Sequence, residues 1–530
     1  MGYKISSMRQ LLPSLTGGVW GWVFIFLSSC TTKPTAIPTA FSETTDSLVV
    51  FPDYRDVTIP PNIAPLNFMV TDAGASEYVA SIEETQGPHK SHESHETHET
   101  PNLIVGAGKD GKFDIDSIAW RQLLSDAKGQ DLTISIYAHR PAGWVRYAPF
   151  TLSVAEEEID PYLSYRLIEP GYELYRQLGL YQRNLTNFQE AVIYENNRSF
   201  DADNNHCINC HNYQAYDTER MLFHVRASHG GTVIVNGSEA HKVAIRHDSI
   251  LSSGVYPSWH PTQPLVAFST NKTGQVFHMY HPEKIEVLDE ASDLLLYDAE
   301  ANSVRHILRT DNALETFPCW APDGQTLYYC SATLPESLYD AAASEIAMKY
   351  DSLLYNIYAI SYDSITRSFG EPQLVVDAAG MGKSTSVPRV SPDGRYLLFT
   401  LGDYGQFHIW HKSADLWMVD LQASTTQPLM HANAPDQSDS YHGWSSNGRW
   451  IAFATRRIDG NYSRVFISYF DREGRDHKAF LLPQRDPEHN TLLLKSYNVP
   501  ELTKAPIHVS NEKLRHVVLH TEAAPATYIP

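Results

Sequence analysis

Four segments in the second half of the chain repeat one pattern, and this repetition limits the fold more than any other feature. Each segment has an apolar or aromatic lead strand, a turn built on Pro-Asp-Gly or a variant of it, and an alternating strand. The segments are YPSWHPTQPLVAFST (256–270), FPCWAPDGQTLYYCS (317–331), VPRVSPDGRYLLFTL (387–401) and HGWSSNGRWIAFAT (442–455). A further strand pair follows each one, so that a unit contains about four strands. Such units predict the blades of a β-propeller.

The repeats resemble the WD40-like PD40 repeats of TolB-type periplasmic propellers. The resemblance implies a mainly β chain whose C-terminal propeller has five to seven blades and spans residues 229–510, with a tail at 511–530. Four blades are visible, and the stretches 230–249 and 492–510 are expected to supply strands for the others. Because propellers serve as binding platforms and as enzymes alike, the repeat alone assigns no function.

Short alternating runs between residues 49 and 165 predict a small β-sandwich-like domain before the propeller. This region contains the insert PHKSHESHETHETP (88–101), in which His89, His92, His95 and His98 lie three residues apart. Clustered imidazoles can bind Zn²⁺, Cu²⁺ or Ni²⁺. The low complexity of the insert favours a solvated loop instead.

The N-terminus has the features of a secretory signal. A positive start precedes an apolar run at 19–27, which is too short to span a bilayer, and LSSC follows with Cys30 at its end. LSSC resembles a bacterial lipobox, which implies a lipoprotein signal peptide at 1–29 and acylation of Cys30; an ordinary cleaved signal is the alternative. The Thr/Pro/Ser-rich stretch 30–48 is a flexible tether. Thr31 after the lipidated cysteine resembles outer-membrane sorting signals, so we expect anchoring there, facing the periplasm.

The charge of the chain limits its partners. The formal net charge of −21 over 530 residues argues against nucleic acid and against electrostatic binding to anionic lipid. We therefore expect contact with the membrane through the N-terminal lipid alone. The expected partner of the propeller is a redox or scaffold protein of the cell envelope.

The sequence NNHCINCHNYQ (204–214) contains a CxxCH motif formed by Cys207, Cys210 and His211. Two thiols with this spacing add to the vinyl groups of a haem, and the adjacent imidazole becomes the proximal ligand of the iron. With 5 Cys and 24 His in the chain, chance is a poor explanation. We therefore predict covalent haem c, no nucleotide cofactor, and a haem-attachment segment at 166–228 between the sandwich and the propeller.

Three other interpretations of the motif remain open. A redox dithiol usually follows an apolar strand, whereas NNRSFDADNNH precedes this motif. A zinc site requires a second ligand pair, and the sequence offers no CxxC or HxxxH partner. A disulfide between Cys207 and Cys210 is compatible with an extracytoplasmic location.

Other residues are candidates for binding the haem iron or for forming a second disulfide. Candidate distal ligands are Met221, His224, His229 and His206, each of which could equally be an ordinary buried side chain. Cys319 and Cys330 flank the Pro-Asp-Gly turn of one repeat. In a hairpin centred on that turn Cys319 faces a residue near Tyr328, which does not favour a bridge between the two cysteines.

Three functions fit these features. The first is a lipid-anchored monohaem protein for electron transfer or redox relay, whose propeller docks a partner. The second is a haem-dependent oxidoreductase with an active site framed by the propeller, although the sequence shows no evident catalytic constellation. The third is a TolB-like structural or interaction lipoprotein with a structural haem or none. The first is the one we predict, and the sequence leaves enzymatic activity undecided.

Overall fold

The computed structural model describes residues 36–85, 102–169, 177–196, 201, 205–281, 283–339 and 341–530. The predicted signal peptide at 1–29, the lipidation site Cys30 and the His-rich loop at 88–101 lie outside these residues. The described chain is mainly β, as the sequence predicts, and its strands form one N-terminal unit and a ring of six groups of strands, two of which are joined into one ten-stranded sheet.

Ten strands and one helix form the N-terminal unit, in the region where the sequence predicts a sandwich. The strands are β1 (Ser42–Glu43), β2 (Val49–Phe51), β3 (Thr58–Ile59), β4 (Phe68–Thr71), β5 (Tyr78–Glu84), β6 (Asn102–Ala107), β7 (Lys112–Phe113), β8 (Asp131–Arg140), β9 (Gly143–Arg146) and β10 (Phe150–Val154). Strands β2, β4 and β7 make a small sheet, and the other seven make a larger one. Helix α1 (Ser117–Asp126) is capped by the Asp116 side chain and buries Trp120 in the core of this unit.

The ring of sheets begins directly after the N-terminal unit in the sequence. Three strands come first, β11 (Tyr162–Ile168), β12 (Leu178–Asn184) and β13 (Glu190–Glu195). Blade 1 contains β14 (His206–Gln214), β15 (Asp217–Ala227), β16 (Gly231–Asn236) and β17 (Glu239–Ala244); blade 2 contains β18 (Val255–Trp259), β19 (Leu265–Phe277), β20 (Ile285–Asp298) and β21 (Ser303–Leu308). Blade 3 contains β22 (Ala313–Trp320), β23 (Thr326–Thr333), β24 (Asn356–Asp363), β25 (Ser368–Phe369) and β26 (Gln373–Val376), with helix α2 (Ala343–Ala347) between β23 and β24.

Two more blades and the closing strand complete the ring. Blade 4 contains β27 (Ser384–Val390), β28 (Tyr396–Gly402), β29 (Asp415–Asp420) and β30 (Thr425–Pro428); blade 5 contains β31 (Asp439–Trp444), β32 (Trp450–Thr455), β33 (Arg464–Tyr469) and β34 (Phe480–Leu481). After helix α3 (His489–Leu492), strand β35 (Ser496–Thr503) pairs antiparallel with β11 and so completes blade 6 with β11–β13.

The six groups of strands form a closed propeller, in which a parallel bridge between Ser292 and Leu314 joins blades 2 and 3 into one sheet. Their first strands, β14, β18, β22, β27, β31 and β35, lie side by side in that order, and β35 also contacts β14. A circle of six inner strands with the remaining strands of each sheet outside it is the arrangement of propeller blades. The prediction of a propeller with five to seven blades is thus confirmed.

The limits of the propeller differ from those expected from the sequence. The sequence predicts a separate haem-attachment segment at 166–228, whereas these residues contain the last three residues of β11, all of β12–β13 and the first hairpin of blade 1. The residues after 510 are also folded onto the ring: helix α4 (Asn511–His520) contacts β13 and β17, while β36 (Ala524–Pro525) and β37 (Thr527–Tyr528) extend blades 1 and 2. The ring is therefore closed by strands from both ends of the propeller sequence.

Every inner strand contains the same irregularity. One residue has a positive φ of 47–54°, the pairing register shifts by a bulge at that point, and a proline or a histidine follows. The six residues are Cys210, Tyr256, Phe317, Val387, Tyr441 and Val499. Non-glycine residues seldom adopt this backbone conformation, so its repetition marks a structural slot that each blade shares.

The N-terminal unit packs against blades 5 and 6. One continuous core joins residues of the unit, such as Trp120, with Trp450 of blade 5 and Tyr497 of blade 6. Asp160 accepts hydrogen bonds from the backbone nitrogen and the hydroxyl of Ser446 at 2.6 and 2.7 Å. Apolar burial and these bonds fix the unit to one side of the ring.

Candidate functional site

A cavity of about 410 Å³ lies at the centre of the propeller. All six bulge residues border it, so every blade contributes to its wall. Its volume falls in the range of about 300 to 1,000 Å³ that is typical of small-molecule and cofactor sites. Among the described residues, the pocket thus arises from the bulge that all six inner strands share.

The long hairpin of blade 2 forms one side of the cavity. Strands β19 and β20 extend beyond the sheet, and Phe277 and Ile285 near the tip border the cavity. Glu286 attaches the hairpin to the loop after β28, because its carboxylate accepts hydrogen bonds from the Tyr404 hydroxyl (2.9 Å) and from His411 Nε2 (2.7 Å). These two hydrogen bonds therefore fix the hairpin against the loop after β28.

The CxxCH motif lies on β14, the inner strand of blade 1, and both of its cysteines border the cavity. Cys207 is buried and lies opposite Arg226 in the register of β14 with β15. Burial raises the pKa of the Cys207 thiol, while the charges of Arg226 and Arg166 act in the opposite direction. Cys207, Cys210, Cys319 and Cys330 form no disulfide.

Two guanidinium groups hold this strand. Arg166 donates from Nη1 to the carbonyl of Ile208 (3.1 Å) and from Nη2 to the side chain of Asn498 (3.0 Å). With the Asn209 amide oriented so that its oxygen faces Arg226, this arginine donates from Nε and Nη2 to that oxygen at 3.1 and 3.2 Å. Both arginines border the cavity, so positive charge flanks the two thiols.

His211, the third residue of the motif, is buried between blades 1 and 6. Burial lowers its pKa to about 3, so that the ring is neutral at physiological pH. Its Nε2 atom has no hydrogen-bond partner and lies 3.8 Å from Glu501 Oε2. Burial raises the pKa of Glu501 to about 7. A neutral imidazole with a free ring nitrogen has the chemistry of an iron ligand.

These residues fit a haem c. Two thiols and a neutral imidazole come from one strand, and both thiols border the same cavity. Aromatic and aliphatic side chains line the walls, among them Tyr256, Phe317 and Tyr441. The arginines that border the cavity can bind carboxylates. Such a lining suits a flat, largely apolar macrocycle with two acidic groups.

His211 also has a second explanation. It occupies the position after the bulge, where blades 2, 3, 4 and 6 have a proline and blade 5 has His442. Both ring nitrogens of His442 are likewise without hydrogen-bond partners, and burial lowers its pKa to about 3. A buried, unpartnered histidine is thus compatible with simple packing in this slot.

The four candidate distal ligands do not border the central cavity within the described residues. Met221 packs into the core between blades 1 and 6, and His206 Nε2 lies 2.6 Å from the Tyr194 hydroxyl. His229 packs edge-on against the ring of His206. His224 Nδ1 contacts the Thr232 hydroxyl at 3.3 Å, and His224 borders a smaller neighbouring pocket that Arg226 also lines.

Sequence reasoning missed most of the cavity wall. The bulge residues Tyr256, Phe317 and Tyr441 precede the residue at which each repeat has Pro or His, so aligning the repeats at that position could have identified them. Arg166 and Arg226 carry no comparable sequence signal. Their positions follow from strand pairing, which brings distant parts of the chain together.

Over the described ranges, His, Cys, Asp and Glu side chains form no group of three or more placed to hold a metal ion. Over the same ranges, no helix has the length and apolar character required to cross a membrane.

Comparisons with known proteins give no family. The sequence matches no family model and no curated protein. Among solved structures, TolB from Acinetobacter baumannii is similar, with 12% identity, a TM-score of 0.40, and coverage of 73% of this chain and 85% of that chain. Lignostilbene dioxygenase from Pseudomonas brassicacearum has 10% identity and a TM-score of 0.33, with coverage of 85% and 98%. These scores are too low to support an argument, so the fold rests on the sheets themselves.

Proposed function

We propose that this protein is an extracytoplasmic c-type haem protein that holds one haem in the central cavity of its propeller. The observation that carries the proposal is that Cys207 and Cys210 both border that cavity from one inner strand. Packing of a blade does not require two thiols at the centre of the ring. A covalent haem attachment site does require them.

The residues of blade 1 have separate roles in this proposal. Cys207 and Cys210 form the two thioether bonds, and His211 is the iron ligand that the motif supplies. Tyr256 and Phe317 provide apolar contact on the neighbouring blades. A bound haem supplies one-electron transfer, so the protein acts as a redox relay that accepts and passes single electrons.

The proposal places the relay in the cell envelope. The lipobox-like LSSC ending at Cys30 supports attachment to a membrane through lipid, and the outer membrane facing the periplasm is the expected location. The rim of the propeller provides a broad surface for a redox or scaffold partner. Neither the anchor nor the partner affects how the haem is attached.

A second function, a haem-dependent oxidoreductase, is favoured by one observation. Met221, His224, His229 and His206 do not border the cavity in the described part of the chain. An iron without a protein ligand on its distal side permits small-molecule chemistry. Rapid binding of carbon monoxide by the reduced protein at neutral pH is the result that supports this alternative, and failure to bind supports the relay.

The test is to produce the full chain in a bacterial host with intact haem-attachment machinery. We expect covalent haem that remains after denaturation and a reduced pyridine adduct with the spectrum of two thioether bonds. Cys207→Ser and Cys210→Ser each remove one bond and change that spectrum, and the double variant loses covalent haem. Cys319→Ser is the matched control, because Cys319 is a free thiol on blade 3. Absence of covalent haem in the unmodified protein excludes both redox functions and leaves a TolB-like structural or interaction role.

A further inference from the structure

Positive charge is concentrated at the centre of an acidic protein. Arg166, Arg226 and Arg389 all border the central cavity. The chain as a whole has a net charge of −21. In the described part of the chain, none of the three forms an ion pair within 4 Å with an Asp or Glu side chain. The cavity therefore presents three guanidinium groups that have no acidic ion-pair partner within 4 Å among the described residues.

The protein positions these groups through neutral partners. Arg166 and Arg226 donate to carbonyl and amide oxygens, as described above, and Arg389 donates from Nη1 to the carbonyl of Pro388 (2.8 Å). Nε of Arg166 is buried and has no partner. A buried cation without a counter-ion is unfavourable, and an anion that enters the cavity relieves this cost.

The acidic groups nearest the cavity are otherwise engaged. Glu169 borders the cavity, and its carboxylate pairs with Lys495 Nζ at 3.1 Å. Glu501, behind His211, accepts hydrogen bonds from the Asn212 side chain (3.0 Å) and from the backbone nitrogen of Tyr213 (3.1 Å). Among the described residues that border the cavity, the arginines thus outnumber the one acidic side chain.

We propose that Arg166, Arg226 and Arg389 form a carboxylate-binding site in the central cavity. Planar guanidinium groups bind carboxylates through paired, charge-assisted hydrogen bonds. The carboxylates have two chemical sources. One is the pair of propionates on a porphyrin, in which case the inference rests on the proposed function. The other is a free small dicarboxylate that enters the cavity by itself.

The experiment uses the full chain with both motif cysteines changed to serine, so that all binding is non-covalent. The probes are metal-free protoporphyrin IX, its dimethyl ester, and succinate as a competitor, followed by porphyrin fluorescence. We expect the diacid to bind and its ester to bind at least about tenfold more weakly, because the ester cannot form charge-assisted hydrogen bonds. Displacement of the diacid by succinate indicates a free dicarboxylate as the source, and resistance to succinate indicates the porphyrin.

Arginine variants identify the binding groups. Arg226→Gln should weaken binding of the diacid by about tenfold without changing binding of the ester. Arg166→Gln should do the same but removes hydrogen bonds that hold β14, so the exposed Arg226 is the decisive position. Arg395→Gln is the control, because Arg395 pairs with Asp420 (2.9 Å) and does not border the cavity.

Two results overturn the inference: equal affinity for the diacid and its ester, or unchanged affinity for the diacid in Arg226→Gln. The experiments distinguish rejection of the carboxylate-binding site from rejection of the proposed haem function. Covalent haem in the matured protein together with equal binding of diacid and ester rejects the carboxylate site alone. Arginine-dependent binding of succinate in a protein that never acquires covalent haem rejects the haem alone.

Discussion

Asp289 is expected to make the propeller less stable as pH rises. It lies on β20 of the long hairpin, is fully buried, and one of its carboxylate oxygens has no hydrogen-bond partner. The other oxygen lies 3.4 Å from the Tyr355 hydroxyl. Burial raises the pKa of Asp289 from 3.8 to about 7. Folding therefore favours the neutral acid.

The sign and size of the effect follow from this shift. Below pH 3.8 the carboxyl is neutral in both the folded and the unfolded chain, so its contribution to stability is fully present. That contribution is lost as pH rises to about 7, because the unfolded chain ionises first. About three pKa units at 1.36 kcal/mol each correspond to a loss of about 4 kcal/mol.

Asp289→Asn removes the ionisation and preserves the shape of the side chain. The free energy of unfolding of the variant should equal that of the parent near pH 3, below the unfolded pKa, and exceed it by about 4 kcal/mol at pH 8. Urea unfolding followed by tryptophan fluorescence at several pH values measures this difference, and the contributions of other buried acids cancel in it. A difference that does not change with pH, or a parent that is more stable at pH 8, refutes the reasoning.

An exposed aspartate provides the control with the opposite sign. Backbone N–H groups of Thr366 and Ile365 lower the pKa of Asp363. Stability from Asp363 is therefore present above the unfolded pKa and lost as pH falls through the lower folded value. Asp363→Asn should be no more stable than the parent at pH 8, in contrast to Asp289→Asn.

Three other predictions test the architecture. A chain that ends at residue 495 lacks β35, so we expect it not to form a compact monomer in size-exclusion chromatography. A compact monomer would contradict closure of the ring by that strand. Trp450→Ala should lower the free energy of unfolding by about 3 to 5 kcal/mol, since it removes a fully buried ring; a loss below 1 kcal/mol in denaturant titrations contradicts the shared core. Glu286→Gln weakens the contact with His411 and should speed proteolysis at the tip of the hairpin; an unchanged rate shows that apolar contacts alone hold it.

The four repeats could be identified from the sequence because local turn chemistry encodes them. They correspond to the first two strands of blades 2 to 5. Gly324, Gly394 and Gly448 end the turns of three repeats with φ of 68°, 74° and 68°, a conformation that glycine adopts without strain. The predicted pairing of Cys319 with Tyr328 is also observed, because the position of such a turn sets the register of its hairpin.

Blades 1 and 6 lack this signal and could not be delimited from the sequence. Blade 6 joins β11 with β35, and Leu163 pairs with Leu502 although most of the propeller lies between them in sequence. Such pairing depends on closure of the whole ring and has no local signature. For the same reason, Arg166 could not be identified from the sequence, because it reaches the cavity only through the position of β11 beside β35.

The haem motif and the propeller repeat share two positions. Substitutions at these positions therefore do not separate haem binding from blade packing. Cys210 and His211 occupy the bulge slot in which other blades have an apolar or aromatic residue followed by proline or histidine. His442 shows that a buried imidazole is accommodated there without iron chemistry being required. Substitution of His211 therefore perturbs packing as well as any iron ligand. Cys207 lies outside the repeated slot, so thioether formation at Cys207 separates haem attachment from blade architecture.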